Sequence, residues 1–389
     1  MKKILLATTG LVGAALISGA ASAETPKVTL GGFADFQAGY TSENNDGARR
    51  DIGFRNDNEI TIHVDGKTDA GLGYGAVVDL EADVTPDSDN QGTNASRTFT
   101  YLEGNFGRVE LGSNKDAAAN LRVDASTLAV ATGGINGAWR YFANGGGLNP
   151  GNTTDADGNP TGNGRFITTS KLFAEHGSLF SPADESTYNA TKISYYTPRY
   201  FGFQAGGSYT PDLGDRGQLV SRTKQVAGGV GDVWDGALNY ENQFSNGLKL
   251  SATGAYEYGN ADTSANENVS AWNIGGLVGY QGFNIAGSYG DWSDSNQASG
   301  SNNDANYWTV GGSYEAGPYG LSVTYLNSQL EVGTGVQDNE FDNIVIGADY
   351  KLAPGLTPYA EVSFYDYTAA GTVNDNSGTT LLLGTQVAF

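Results

Sequence analysis

Val28 to Tyr40 reads VTLGGFADFQAGY. Taken every second residue it separates into two faces. Val28, Leu30, Gly32, Ala34, Phe36, Ala38 and Tyr40 lie on one; Thr29, Gly31, Phe33, Asp35 and Gln37 lie on the other. A period of two is the side-chain repeat of a pleated strand, and polar residues at alternate positions mean one wet face. The pattern recurs downstream. Ile60, Ile62 and Val64 oppose Asp57, Glu59, Thr61, His63 and Asp65. Leu72, Tyr74, Ala76, Val78, Leu80 and Ala82 oppose Asp79, Glu81 and Asp83. Ile344, Ile346, Ala348 and Tyr350 alternate with Asn343, Asp349 and Lys351, and Leu356, Pro358, Ala360, Val362 and Phe364 with Tyr359, Glu361 and Ser363.

Alternation does not say whether the wet face points outward, as in a soluble sandwich, or inward, as in a membrane-spanning barrel. The connections do. Strands are expected at 27–40, 57–67, 72–83, 96–104, 107–113, 187–197, 202–209, 233–244, 247–258, 269–280, 282–292, 305–316, 319–329, 340–352, 355–368 and 378–389. Tight links (Asp69-Ala70-Gly71, Asn105-Phe106, Ser245-Asn246, Gln281, Gly317-Pro318) alternate with long polar ones at 41–56, 84–95, 114–186, 210–232, 259–268, 293–304, 330–339 and 369–377. Short turns at one end and long loops at the other are the rhythm of an up-and-down transmembrane barrel, whose bacterial forms have even strand counts. The fold expected is therefore an all-β, antiparallel transmembrane barrel of about sixteen strands.

The bulk numbers agree. The 389 residues include 57 Gly and 22 Tyr, apolar residues are only 39%, and mean hydropathy is −0.35. No apolar run beyond the first residues is long enough for a membrane helix. Aromatics at 11% and spread along the chain argue against disorder. A net charge of −22 excludes a nucleic-acid partner, which needs a basic footprint.

Residues 1–23 read as a cleaved signal peptide. Lys2 and Lys3 are followed by an apolar stretch from Ile4 to Ile17 and by Ala21-Ser22-Ala23, so a mature chain from Glu24 is expected. Residues 24–389 then form one barrel domain. Aromatics gather near strand ends: Tyr40, Phe106, Tyr195, Tyr200, Phe201, Phe244, Tyr258, Tyr280, Phe283, Trp292, Tyr307, Trp308, Tyr319, Tyr350 and Tyr367. That placement predicts two interfacial girdles.

Several stretches, in order, carry a family resemblance: VTLGGFADFQAGY at Val28 to Tyr40, DGKTDAGLGYGAVV at Asp65 to Val78, YLEGNFGRVELGSN at Tyr101 to Asn114, KISYYTPRYFGFQAGGSYTP at Lys192 to Pro211, and the terminal Phe389. Together they resemble the general diffusion porins of Gram-negative outer membranes, across the whole mature chain. The resemblance implies an outer-membrane homotrimer forming a water-filled channel for small hydrophilic solutes and ions. It implies a third loop, here 114–186, folded into the pore as a constriction. It makes Phe389 the terminal aromatic read by the outer-membrane assembly machinery, and lipid and lipopolysaccharide the surroundings. Small residues Gly32, Ala34 and Ala38 are the candidate trimer seam.

In that family acidic loop residues face basic wall residues. The candidates here are Asp116, Asp124 and Glu175 against Arg49, Arg50, Arg55 and Arg97. Ala118, Leu121, Ala125 and Leu128 have helical spacing, so a short helix is expected between Lys115 and Ala131, lying against the wall. Inward-facing Asp35, Asp57, Glu59, Asp65, Asp79 and Glu81 predict weak cation selectivity. Asp155-Ala156-Asp157-Gly158-Asn159 has the look of a Ca2+ loop but lacks its terminal bidentate Glu, so Ca2+ competes with a plain solvated turn; no cofactor is required. His63 and His176 have no Ser elbow beside them and no catalytic constellation is visible, so an enzyme is not expected. Two other readings stay open: a substrate-specific channel with a lumenal binding site, and a secreted all-β adhesin or structural protein.

Overall fold

The computed structural model describes residues 24–44, 50–82, 94–143, 189–218, 220, 222, 229–295, 297–301, 304–331, 337–368 and 375–389. The strands are β1 (Glu24–Glu43), β2 (Ile52–Lys67), β3 (Gly73–Glu81), β4 (Asn94–Gly104), β5 (Gly107–Ser113), β6 (Thr191–Tyr196), β7 (Phe203–Asp212), β8 (Val230–Gln243), β9 (Lys249–Ala261), β10 (Val269–Tyr280), β11 (Phe283–Ser293), β12 (Ala305–Ala316), β13 (Tyr319–Leu330), β14 (Asn339–Tyr350), β15 (Leu356–Thr368) and β16 (Asn376–Ala388). Each pairs antiparallel with its sequence neighbours, and β1 pairs with β16, so the sheet closes on itself. At the seam Gly32 N donates to Phe389 O and Phe389 N donates to Gly32 O, both at 3.0 Å. Closure leaves no edge strand, which a bilayer demands because it offers backbone groups no other partner.

The short turns carry their own chemistry. Tyr280 faces Phe283 across Gln281-Gly282, whose φ angles are 49° and 87°. Two consecutive left-handed residues define the tight turn whose twist suits a two-residue hairpin.

Burial runs opposite to that of a soluble protein. Ile285 is 66% exposed on the outside, with Leu238, Ile274, Leu321, Val323, Ile344 and Leu383 also exposed. Glu361 is 1% exposed on the inside, with Asn239, Asn273, Thr324, Ser363 and Thr380 equally buried. An apolar outer surface this continuous is stable only against lipid. Two aromatic belts bound it. Phe203–Tyr240, Phe283–Tyr314 and Tyr319–Tyr350 pair across strands near the short turns, with ring centroids 4.8, 4.3 and 4.9 Å apart. Tyr209–Trp234, Trp272–Tyr289 and Trp308–Tyr325 do so near the long loops, at 4.5, 5.4 and 4.8 Å. Phe203 to Tyr209 and Phe283 to Tyr289 are each six residue steps apart, about 20 Å of strand.

Three aromatics expected in the girdles are elsewhere. Trp292, Tyr307 and Tyr367 point inward and are buried. Each sits near a strand end, but on the wet phase of its strand, and phase rather than nearness to the end decides the side. Trp292 packs on Tyr307, and Asn273 Nδ2 donates to the Tyr307 hydroxyl at 2.7 Å.

The helix expected from Lys115 to Ala131 is divided. α1 (Ala117–Leu121) is followed by a 3-10 turn at Ala125–Leu128. Asp124 causes the break: its carboxylate accepts from Ser126 N at 2.8 Å, and its own N donates to the Thr127 hydroxyl at 3.0 Å. A side chain that caps a new turn ends the old one. Ala118, Leu121, Ala125 and Leu128 are buried, as their spacing implies.

Candidate functional site: the lumen and its inner segment

Residues 114–143 run along the inside of the wall. Short irregular segments leave backbone N–H groups without internal partners, and inward hydroxyls and carboxylates accept them here. Ala117 N donates to Ser208 Oγ on β7 at 2.7 Å, and Ala118 N to Asp235 Oδ1 on β8 at 3.0 Å. Ala125 N reaches Thr309 Oγ1 on β12 at 3.2 Å. On β13, Val130 N bonds Ser322 Oγ and Ile135 N bonds Thr324 Oγ1, both at 3.1 Å. Thr132 gives its N and its hydroxyl to Glu361 of β15, at 3.2 and 2.6 Å. Asn239 Nδ2 donates to Leu121 O at 3.1 Å.

The far end of the segment is held by packing. Trp139, fully buried, stacks near-parallel on Phe341 and Tyr365 at 6.4 and 5.7 Å. Its indole N–H donates to Gly134 O at 3.0 Å. Ile135, Leu326, Tyr367 and Leu382 complete this cluster, so the chief apolar core lies inside the barrel.

The two described acidic candidates of the segment are turned to the wall. Asp116 is 5% exposed and caps α1 through Ala119 N at 2.7 Å. Burial raises its carboxyl above the usual carboxylate range, and the Lys192 ammonium on β6 partly offsets this. Lys192 Nζ donates to Asn114 O and Ala190 O at 2.5 and 2.8 Å. Asp235 and Glu257, facing residues of β8 and β9, are buried in the same cluster. Asp124 is 1% exposed and pairs with Arg122 at 2.8 Å.

Strands β1 to β4 carry most of the other charged residues expected to line the pore. Asp35 accepts from Gln37 Nε2 at 3.2 Å and from the Tyr359 hydroxyl at 2.9 Å. Arg55 pairs with Asp57 at 2.8 Å and lies 3.9 Å over the Tyr141 ring. Arg97 pairs with buried Asp79, and Asp65 accepts from the Tyr101 hydroxyl. Glu59 accepts from Thr61 at 3.2 Å, facing Glu81 across the β2–β3 ladder. His63 shares this inward face of β2. Arg50 is exposed just ahead of β2. Arg49, Asp155, Asp157, Glu175, His176 and the remainder of the expected 114–186 loop lie outside the described residues, as does the signal peptide.

Thus Arg55 and Arg97 are on the wall as expected, but beside carboxylates of that same wall. Ser208, Asp235, Glu257, Thr309, Ser322, Thr324 and Glu361 were not singled out from sequence. Their only signal was a polar residue on the wet phase of a strand. Among the described residues no group of three or more His, Asp or Glu is placed to hold a metal ion.

A closed sheet, apolar outside and polar within, defines a transmembrane pore barrel. The chain belongs to the Gram-negative porins, whose family model matches residues 7–370. It is an outer-membrane protein of a non-enzymatic channel family. An uncharacterized protein of Rickettsia felis is 29% identical over the full length of both chains. Outer membrane porin protein 32 of Delftia acidovorans is 29% identical, over 62% of this chain and 57% of its own. Among solved structures, an anion-selective porin from Comamonas acidovorans superposes with TM-score 0.64 at 19% identity, covering 94% of this chain and 100% of its own. The trimer form of OmpT of Vibrio cholerae gives TM-score 0.59 at 12% identity, with the same coverage.

Proposed function

We propose that this porin is a passive diffusion channel for small hydrophilic solutes and ions, weakly cation-selective, and active as a homotrimer. The carrying observation is on β1 to β4. Asp57, Glu59, Asp65, Asp79 and Glu81 share that inner wall with Arg55 and Arg97, so carboxylates outnumber guanidiniums. A lumen lined this way concentrates cations. Asp116 and Asp124 act on the seating of the inner segment, being buried behind it, and the wall carries the negative field. Arg55 sets the positive side of the neck where its guanidinium meets Tyr141. The name of the Comamonas acidovorans porin states the opposite preference for that protein; at 19% identity the likeness extends to the fold. Lipid and lipopolysaccharide face the aromatic belts, and Phe389 serves as the aromatic recognised during assembly.

Reversal potential in a potassium chloride gradient tests the selectivity. The wild type is expected to favour K+. A triple variant Asp57→Asn, Glu59→Gln, Glu81→Gln is expected to reduce that preference by about half or more. Anion preference in the wild type would reject the reading.

A further inference from the structure

The inner wall carries glycines on six of the strands that the inner segment crosses. A Cβ built on Gly206 of β7 would meet Leu121 Cδ1 at 2.9 Å and Ala117 Cβ at 3.1 Å. On Gly275 of β10 it would overlap the Val123 carbonyl oxygen, far inside van der Waals contact. On Gly311 of β12 it would meet Thr324 Cγ2 and Val323 O of β13 at 3.1 Å and Ala125 Cβ of the segment at 3.2 Å, and on Gly320 of β13 it would meet the Asp349 carboxylate and, at 3.0 Å, Val130 Cγ1. On Gly347 of β14 it would stand 3.1 Å from Val130 O and 3.4 Å from Ala131 Cβ. The Phe142 ring fills the space a Cβ on Gly39 of β1 would take. Taken at these glycines, the residues met run from 117 to 142 in the order of the strands around the barrel, from β7 to β1. Ser208, Thr309, Ser322 and Thr324, which accept its N–H groups, lie on β7, β12 and β13 beside these glycines, and Asp235 and Glu361 hold it from the intervening β8 and β15.

We propose that these glycines form a track cut into the wall, which sets how deeply residues 114–143 seat and so the free cross-section of the lumen. Gly275 is the controlling position. Val123 O is backbone and cannot rotate away as a side chain can, so any Cβ at position 275 pushes the segment toward the pore axis. Gly275 is a positioning residue: it acts on solutes only through the segment it seats. The inference rests on the channel reading, and the experiment separates the two.

Single-channel conductance in planar bilayers is measured for the wild type, Gly275→Ala, Gly311→Ala and Gly276→Ala. Gly276 lies on the outward phase of β10, where a Cβ would meet only Ser251 O at 3.5 Å. It is therefore a control for the glycine-to-alanine change itself. Conductance of Gly275→Ala is expected to fall about 1.5-fold or more, that of Gly311→Ala less, and that of Gly276→Ala not at all. The circular dichroism of all four should coincide. A second readout does not depend on conduction. The chain has no cysteine, and the Ala131 and Gly347 Cβ positions are 3.4 Å apart. That is close to the separation a disulfide bridges. Ala131→Cys with Gly347→Cys should oxidise readily in the wild-type background and several-fold more slowly with Gly275→Ala. Unchanged or increased conductance of Gly275→Ala, an equal fall in Gly276→Ala, or equal oxidation rates would overturn the track. A silent wild-type film would reject the channel instead, and the oxidation rates would still decide the track.

Discussion

A residue's phase along its strand decides what it does here, and its chemistry comes second. Asp116 and Asp235 are both acids, yet each is spent on the backbone of the segment it meets: Asp116 on Ala119 N, Asp235 on Ala118 N. Trp139 is an indole that a soluble protein would place in its core; here the core is inside the pore and the indole clips the inner segment to β14 and β15. Replacing a buried Trp by Ala removes about 3–5 kcal/mol of packing. Trp139→Ala should therefore leave the barrel's circular dichroism intact but turn a steady conductance into a flickering one. Trp139→Phe keeps the stacking and loses only the bond to Gly134 O, so its trace should be nearly steady. Bilayer recordings of the two variants would show it.

At the scale of the strand, alternate residues live in different solvents. Val323 and its neighbour Thr324 on β13 are a lipid-facing apolar residue and a fully buried inward one. A cation at Val323, between the belt residues Tyr319 and Tyr325, would sit in hydrocarbon. Val323→Arg is expected to cost about 2–4 kcal/mol, as such substitutions do near the bilayer midplane. Thr61→Arg, on the wet face of β2, should cost less than about 1 kcal/mol. Urea unfolding midpoints in lipid vesicles test the contrast. The inner segment is the element that could be read only in part. Its apolar spacing announced a buried face, whereas the break at Asp124 depends on a local capping bond that competes with helix continuation.

The whole molecule presents an outer surface that lipid covers, and the proposed homotrimer assigns one sector of it to a neighbouring copy. Ala34 and Ala38 on β1 leave the outer face shallow, and beside them Phe36 stacks on Phe54 of β2 at 5.8 Å, with Ile52 exposed nearby. In the proposed homotrimer this apolar sector packs on a different face of the next copy around a threefold axis. Sedimentation in detergent is expected to give three times the chain mass, and Ala38→Trp to shift it toward the single chain. A monomeric wild type would remove the homotrimer from the proposal.

Strand positions, their order and the choice of the wet face were legible because each is local or nearly so. Pleating makes the period of two visible in VTLGGFADFQAGY itself, and the length rhythm of turns and loops identifies the inside. Trp292, Tyr307 and Tyr367 lie near strand ends yet point inward, because phase along the strand fixes the side a residue takes. A closed, inverted barrel with an acidic early wall can be read from residue order and periodicity. Which wet residues meet the inner segment is set in three dimensions, where Thr132 finds Glu361 across 229 residues of chain. Such contacts join parts of the chain with no common periodicity, and the glycines that make room for them look, in one dimension, like any others.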